Sequence, residues 1–182
     1  MNQQILNDLE KAYGLITQAN KDMIYVWYHN ILFTWRWWLS LSFTVVPWVA
    51  WIVTRKKEST HRLLYAGLLS MLLASWFDVV GILFGLWSYH AEFIPLSPAF
   101  IPWDFTLMPV ITMVFLQYKP MINPLVKAAV FSGLGSFGAQ PLFVLLDFYA
   151  PKHWHHYYSF PIFMGIYLLA HFLVTRDNFE RL

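Results

Sequence analysis

Residues 76–106 read WFDVVGILFGLWSYHAEFIPLSPAFIPWDFT, and this stretch decides the fold. An apolar helix carries Asp78 inside it, ends in an aromatic rim at Trp87 and Tyr89, and gives way to a proline-studded loop. The loop delivers a second aspartate, Asp104, at the mouth of the next apolar segment. A carboxylate at the centre of a membrane helix costs about 3 kcal/mol or more, so it marks a candidate functional site. The rest of the chain reads as walls around an outward-facing vestibule.

Composition sets the class. The chain has 182 residues, of which 58% are hydrophobic and only 12% charged, against about 25% charged in an ordinary soluble domain. Ten Trp, ten Tyr and sixteen Phe bring the aromatic share to 20%. A soluble core of this size has no room for so much apolar surface, whereas a bilayer accepts it. The net charge of +2 and the lack of a basic run argue against nucleic acid as a partner. Cysteine is absent, which excludes disulfides, thiolate catalysis and Cys-based metal centres. The first residues lack the charged start and apolar core of a cleavable signal peptide, so insertion is expected to use the first span.

Taken in order, residues 1–30 place Ile5, Leu9, Ala12, Leu15 and Ile16 at helical spacing. That pattern suits an amphipathic helix on the membrane or on the protein's own outer face. Residues 31–182 then form a transmembrane domain. Five apolar segments follow, over about 33–53, 63–87, 104–118, 124–149 and 160–175. The expected fold is therefore an all-α, polytopic helical bundle of five spans. The third segment is short for a span of roughly 20 residues, so four spans plus a re-entrant piece is the alternative.

Orientation follows from Lys and Arg in the short flanks. Five spans gather Arg55, Lys56, Lys57, Arg62, Lys119, Lys127, Arg176 and Arg181 on one side. Lys11, Lys21, Arg36 and Lys152 lie on the other. The N-terminus is expected outside and the C-terminus in the cytoplasm, with the 88–103 loop facing outward.

Gly81 and Gly85 form a G-x-x-x-G face, read as a helix–helix contact within the monomer or between copies. No internal repeat is evident in the sequence. Asp78 lies nine residues before Trp87 and Gln140 nine before Tyr149. Helices two and four run the same way, so both groups sit about 13 Å below the outer interface, where they can meet. Nearer the surface, Arg36 can bind either Asp104 or Asp147. Asp104 also suits an N-cap, and Asp147 an interfacial ion pair.

The 151–158 stretch PKHWHHYY places His153 and His155 on one face of an extended segment. With His90 and Glu92 they are candidate metal ligands, although aromatic and histidine side chains at headgroup level need no metal. No P-loop, dinucleotide fingerprint, G-x-S-x-G or H-E-x-x-H is present, and no cofactor is expected.

The series Arg36-Trp37-Trp38, Pro47-Trp48, Asp78-x-x-Gly81-x-x-x-Gly85-Leu86-Trp87-x-Tyr89 and Pro95-x-x-Pro98-x-x-x-Pro102-x-Asp104 continues through Pro109-Val110, Gln117-Tyr118-x-Pro120, Pro141-Leu142-Phe143 and Ser159-Phe160-Pro161. Over about residues 30–165 this resembles an uncharacterised family of small multi-pass membrane proteins from spore-forming Gram-positive bacteria. The resemblance implies a bacterial plasma membrane protein of about five spans. Many members of that family carry Glu before Pro-Leu-Phe, where this chain has Gln140, so a second carboxylate at that depth is not implied here.

The vestibule is expected to bind a lipid-like or aromatic small ligand. Its expected residues are Arg36, Asp78, Trp87, Tyr89, Trp103, Asp104, Gln140 and Trp154. An enzyme reading makes Asp78 and Asp104 acid/base catalysts on an isoprenoid or lipid, with aromatic faces stabilising a cation. A small proton-linked transporter and an accessory subunit docked on a membrane-protein partner are the other classes. Membrane lipids are partners under every reading.

Overall fold

The computed structural model describes residues 2–95 and 99–175. Arg176, Arg181 and the Pro98 of the proline series lie outside the described residues. The chain is all-α apart from two three-residue strands. Helix α1 (Gln3–Asn30) has no buried residue. It is tied to the outer loop by Trp27 Nε1, which donates to the Glu92 carbonyl at 3.0 Å. Helices α2 (Trp35–Thr54) and α3 (Thr60–Leu83) follow, then strand β1 (Trp87–Tyr89). A π-helical segment (Pro102–Leu107) leads into α4 (Met108–Gln117). Helix α5 (Pro124–Gly133), a second π-helical segment (Leu134–Ala139) and α6 (Gln140–Leu145) form one continuous rod, which ends before strand β2 (Tyr149–Pro151). Helix α7 (His156–Thr175) closes the bundle.

Four helical runs are long and apolar enough to cross a membrane: Trp35–Thr54, Lys57–Leu83, Pro124–Leu145 and His156–Thr175. The 102–117 segment falls short, at about 24 Å of rise against a hydrocarbon core of about 30 Å. It packs in the middle of the bundle, with α4 against α3 and the π-helical segment against α2.

The two π-helical segments have a shared cause. Each ends two residues before a proline, Pro109 or Pro141. A proline inside a helix lacks an N–H and crowds the carbonyl four residues back, and a local widening relieves the crowding. The carbonyl orphaned by Pro109 is that of Phe105, and Trp48 Nε1 of α2 donates to it at 3.0 Å. In return Thr106 Oγ1 donates to Thr44 O at 3.1 Å. Proline-freed backbone is thus what α2 docks on, as buried polar groups in an apolar surround require.

Helices α3 and α6 end four residues earlier than the hydropathy pattern predicts, and for one reason. Gly85 adopts φ +67° and Asp147 φ +58°. At the first cap Gly85 N–H reaches Ile82 O and Leu86 N–H reaches Gly81 O, each at 2.9 Å. At the second Asp147 N–H reaches Val144 O at 3.1 Å and Phe148 N–H reaches Phe143 O at 2.9 Å. Both are Schellman caps, which turn the chain sharply off the helix axis. The strands that follow pair antiparallel, Trp87 with Pro151, Ser88 with Ala150 and Tyr89 with Tyr149. The lashing is reciprocal, with His90 N–H on Phe148 O at 3.1 Å and Lys152 N–H on Leu86 O at 2.9 Å.

Equivalent cap residues, Gly85 with Asp147 and Leu86 with Phe148, have the same spacing in sequence, and that spacing also relates Asp78 to Gln140. A helix–cap–strand unit therefore occurs twice, related by a local two-fold through the strand pair. The likeness is one of backbone conformation, and the two copies share almost no side chains.

The G-x-x-x-G reading is corrected as well. A Cβ on Gly81 would overlap the six-membered ring of Trp87, while Gly85 supplies the left-handed cap. These glycines make room for a chain reversal and not for a neighbouring helix.

Candidate functional site

The chain reversal at Gly85 brings β1 back over the last turns of α3 and sets the site. Trp87 Nε1 donates to Asp78 Oδ1 at 3.2 Å, and Tyr89 OH donates to the same oxygen at 2.9 Å. Asp104 arrives from the first π-helical segment, completely buried, where its Oδ2 accepts the Phe100 N–H at 3.2 Å. The N-cap expected of Asp104 is not its role, since Ile101 holds that position. The Asp78 and Asp104 carboxyls lie in side-chain hydrogen-bonding contact with each other. Asp78 Oδ2 and Asp104 Oδ1 are buried and accept no N–H or O–H from any other residue. Two carboxyls in contact need either a shared proton or a cation between them.

Across the cavity stands the equivalent pair from the second unit. Gln140 Nε2 donates to Ser159 Oγ at 2.9 Å, and Trp154 Nε1 donates to that oxygen at 2.8 Å. His156 Nδ1 lies 3.4 Å from Gln140 Oε1. Gln140 and Asp78 share the cavity at matching positions, but Asp78 is bonded to strand β1 and Gln140 to α7, and not to each other.

Rings fill the space between. Tyr89 stacks on Phe100 at 4.3 Å between centroids, Trp87 meets Trp154 edge-on at 5.1 Å, and Trp103 meets Phe143 edge-on at 5.7 Å. The cavity they leave holds about 50 Å³, and no Lys or Arg lines it. That is several times the room one water needs, and less than a lipid tail would fill. Burial, with Asp78 and Asp104 adding to it, pushes the Tyr89 phenol well above the usual range, so Tyr89 acts as a neutral donor.

Seven of the residues singled out from sequence line this cavity: Asp78, Trp87, Tyr89, Trp103, Asp104, Gln140 and Trp154. Arg36 does not. Its Nη2 pairs with Asp147 Oδ2 at 2.6 Å and its Nε donates to Leu146 O at 3.2 Å, so it clamps the second cap on the rim. His153 and His155 stay outside, where His155 stacks on Tyr157 at 5.1 Å. Among the described residues no group of three or more His, Asp or Glu is placed to hold a metal ion. Sequence reasoning missed Tyr149, Phe100 and Ser159. Tyr149 carried a positional signal, since it follows Gln140 as Trp87 follows Asp78, whereas Phe100 and Ser159 carried none.

A second pocket, of about 460 Å³, opens between α1 and the 89–95 loop. Tyr89 lines both spaces, and Met23, Val26, Trp27 and Glu92 line the second one. Burial, reinforced by Asp78, pushes the Glu92 carboxyl up to about 7, and its buried Oε2 has no hydrogen-bond partner.

These features define an all-α membrane protein with a carboxyl pair enclosed by aromatic rings at the seam of two like units. Comparison with protein-family models, with curated proteins and with solved structures finds no match to this chain.

Proposed function

We propose that this protein is a five-span plasma membrane protein, N-terminus outside, whose outward vestibule binds a lipid-like or aromatic small ligand. Pairing of β1 with β2 supports the span count: α3 and the α5–α6 rod deliver their ends to one place, so the 102–117 segment has to carry the chain back. The excess of Arg55, Lys56, Lys57, Arg62, Lys119 and Lys127 at the opposite end supports the orientation. One observation carries the binding reading. The buried Asp78–Asp104 pair has two oxygens that no other residue serves, beside an aromatic cavity, an arrangement that costs stability and that a ligand would repay. The location between two repeated units suits it, since such seams are where membrane proteins place small-molecule sites.

A second reading is acid catalysis on an isoprenoid or lipid. It is favoured by the same carboxyl contact, because a proton shared beside Trp and Tyr faces is one that can be delivered to an alkene whose cation the rings then stabilise. Native mass spectrometry of gently extracted wild type and Asp78→Asn separates these readings. A discrete small molecule kept by wild type and lost by the variant supports binding. A chemically altered molecule that appears only with wild type supports catalysis. Bulk phospholipid alone on both would refute the vestibule.

A further inference from the structure

We infer that the floor of this vestibule recognises an organic cation, a primary ammonium head on a short apolar body. The inference deepens the proposed function and rests on it. Asp78 and Asp104 are 6% and 0% exposed, and the oxygens left without a donor are one from each, Asp78 Oδ2 and Asp104 Oδ1. A ligand that takes the place of a proton shared between them must bring N–H donors and positive charge. The protein supplies none, because no Lys or Arg lines the cavity and Arg36 is spent on Asp147.

The remaining surfaces agree. The rings of Trp87, Tyr89, Phe100 and Trp103 line the same space, and aromatic rings attract a cation within about 6 Å. A hard metal ion takes six or more oxygens, and this floor offers two carboxyls walled by carbon. The opposite wall is neutral and already satisfied, with Gln140 bonded to Ser159 and His156. A ligand with one cationic end therefore has one orientation, head on the aspartates. The cavity of about 50 Å³ takes the head and a few carbons. The body passes Tyr89 toward the second pocket, which Met23, Val26 and Ile31 make apolar.

The test uses the full chain in detergent and three probes of one shape: n-butylammonium chloride, 1-butanol and sodium butyrate. Binding is read by calorimetry and by the rise in melting temperature. The expected result is saturable binding of butylammonium at least about tenfold tighter than 1-butanol, a gap of about 1.4 kcal/mol, with butyrate not binding. Asp78→Asn and Asp104→Asn should each erase that gap, while Arg36→Ala, on the rim, should keep it. The comparison between probes needs only wild-type protein, so it stands even where a variant fails to fold. Equal binding of butylammonium and butanol by wild type would overturn the cation inference and leave the vestibule standing. Binding of none of the three, with only bulk phospholipid in the mass spectrum, would overturn both.

Discussion

Replacing Gly81 by Ala tests the architecture of the site at its tightest point. A Cβ there would lie 2.6 Å from Trp87 Cε2 and closer still to Cζ2 and Cη2. An ordinary carbon–carbon contact is about 3.5–4.0 Å, so the indole must retreat by about 1.5 Å. Trp87 Nε1 sits 3.2 Å from Asp78 Oδ1, and that retreat takes it out of hydrogen-bonding range. The lost bond to a buried acid costs about 1–3 kcal/mol, overpacking about 1–3 kcal/mol more, and the better helix propensity of Ala returns about 1 kcal/mol. The net is a loss of about 1–5 kcal/mol, or a fall in melting temperature of about 2–20 °C for a chain of this size. The control is Gly133→Ala, where the added Cβ meets nothing within 4 Å. That change should be neutral or stabilise by up to about 1 kcal/mol. Thermal unfolding followed by circular dichroism in one detergent reads both. If Gly81→Ala melts with or above Gly133→Ala, Trp87 does not lie on α3 and the account of the site fails.

Three further outcomes are expected. Glu92 has its carboxyl raised from 4.5 to about 7 by burial first and Asp78 second, so the folded protein holds that proton where the unfolded chain has lost it. Its contribution to stability is greatest below about 4.5 and falls as pH rises through about 7, the reverse of a salt-bridged carboxylate; Glu92→Gln should flatten the melting temperature over this window, and an unchanged slope would refute the assignment. Asp147 holds φ +58° with an exposed partner in Arg36, whose ion pair is worth about 0–1 kcal/mol. Asp147→Gly should therefore be near neutral in thermal unfolding, whereas Asp147→Val should cost about 1–2 kcal/mol for a β-branched residue in the left-handed region. Because the chain has no cysteine, single cysteines report topology directly. An impermeant maleimide on intact cells should label Lys152→Cys and not Met121→Cys, and labelling of Met121→Cys would show that 102–117 does not cross.

Hydropathy and composition were enough to read the class, because a bilayer imposes a one-dimensional rule: long apolar helices must satisfy their own backbones. They also placed Asp78 and Gln140 at one depth, since rise per residue is fixed along a helix. Apolar-stretch lengths overshot most at the two caps. What the sequence left open depends on contacts between distant segments. Nothing local says that Asp147, a non-glycine residue, adopts the same left-handed turn as Gly85; Arg36 on α2 holds its side chain. Nothing local says that Trp87 folds back onto Gly81 in place of extending the helix. Those two reversals pair β1 with β2, reveal the duplicated unit and press Asp104 against Asp78. Depth is a property of each helix alone, whereas the meeting of two carboxyls depends on how the helices are turned toward each other, and only packing sets that.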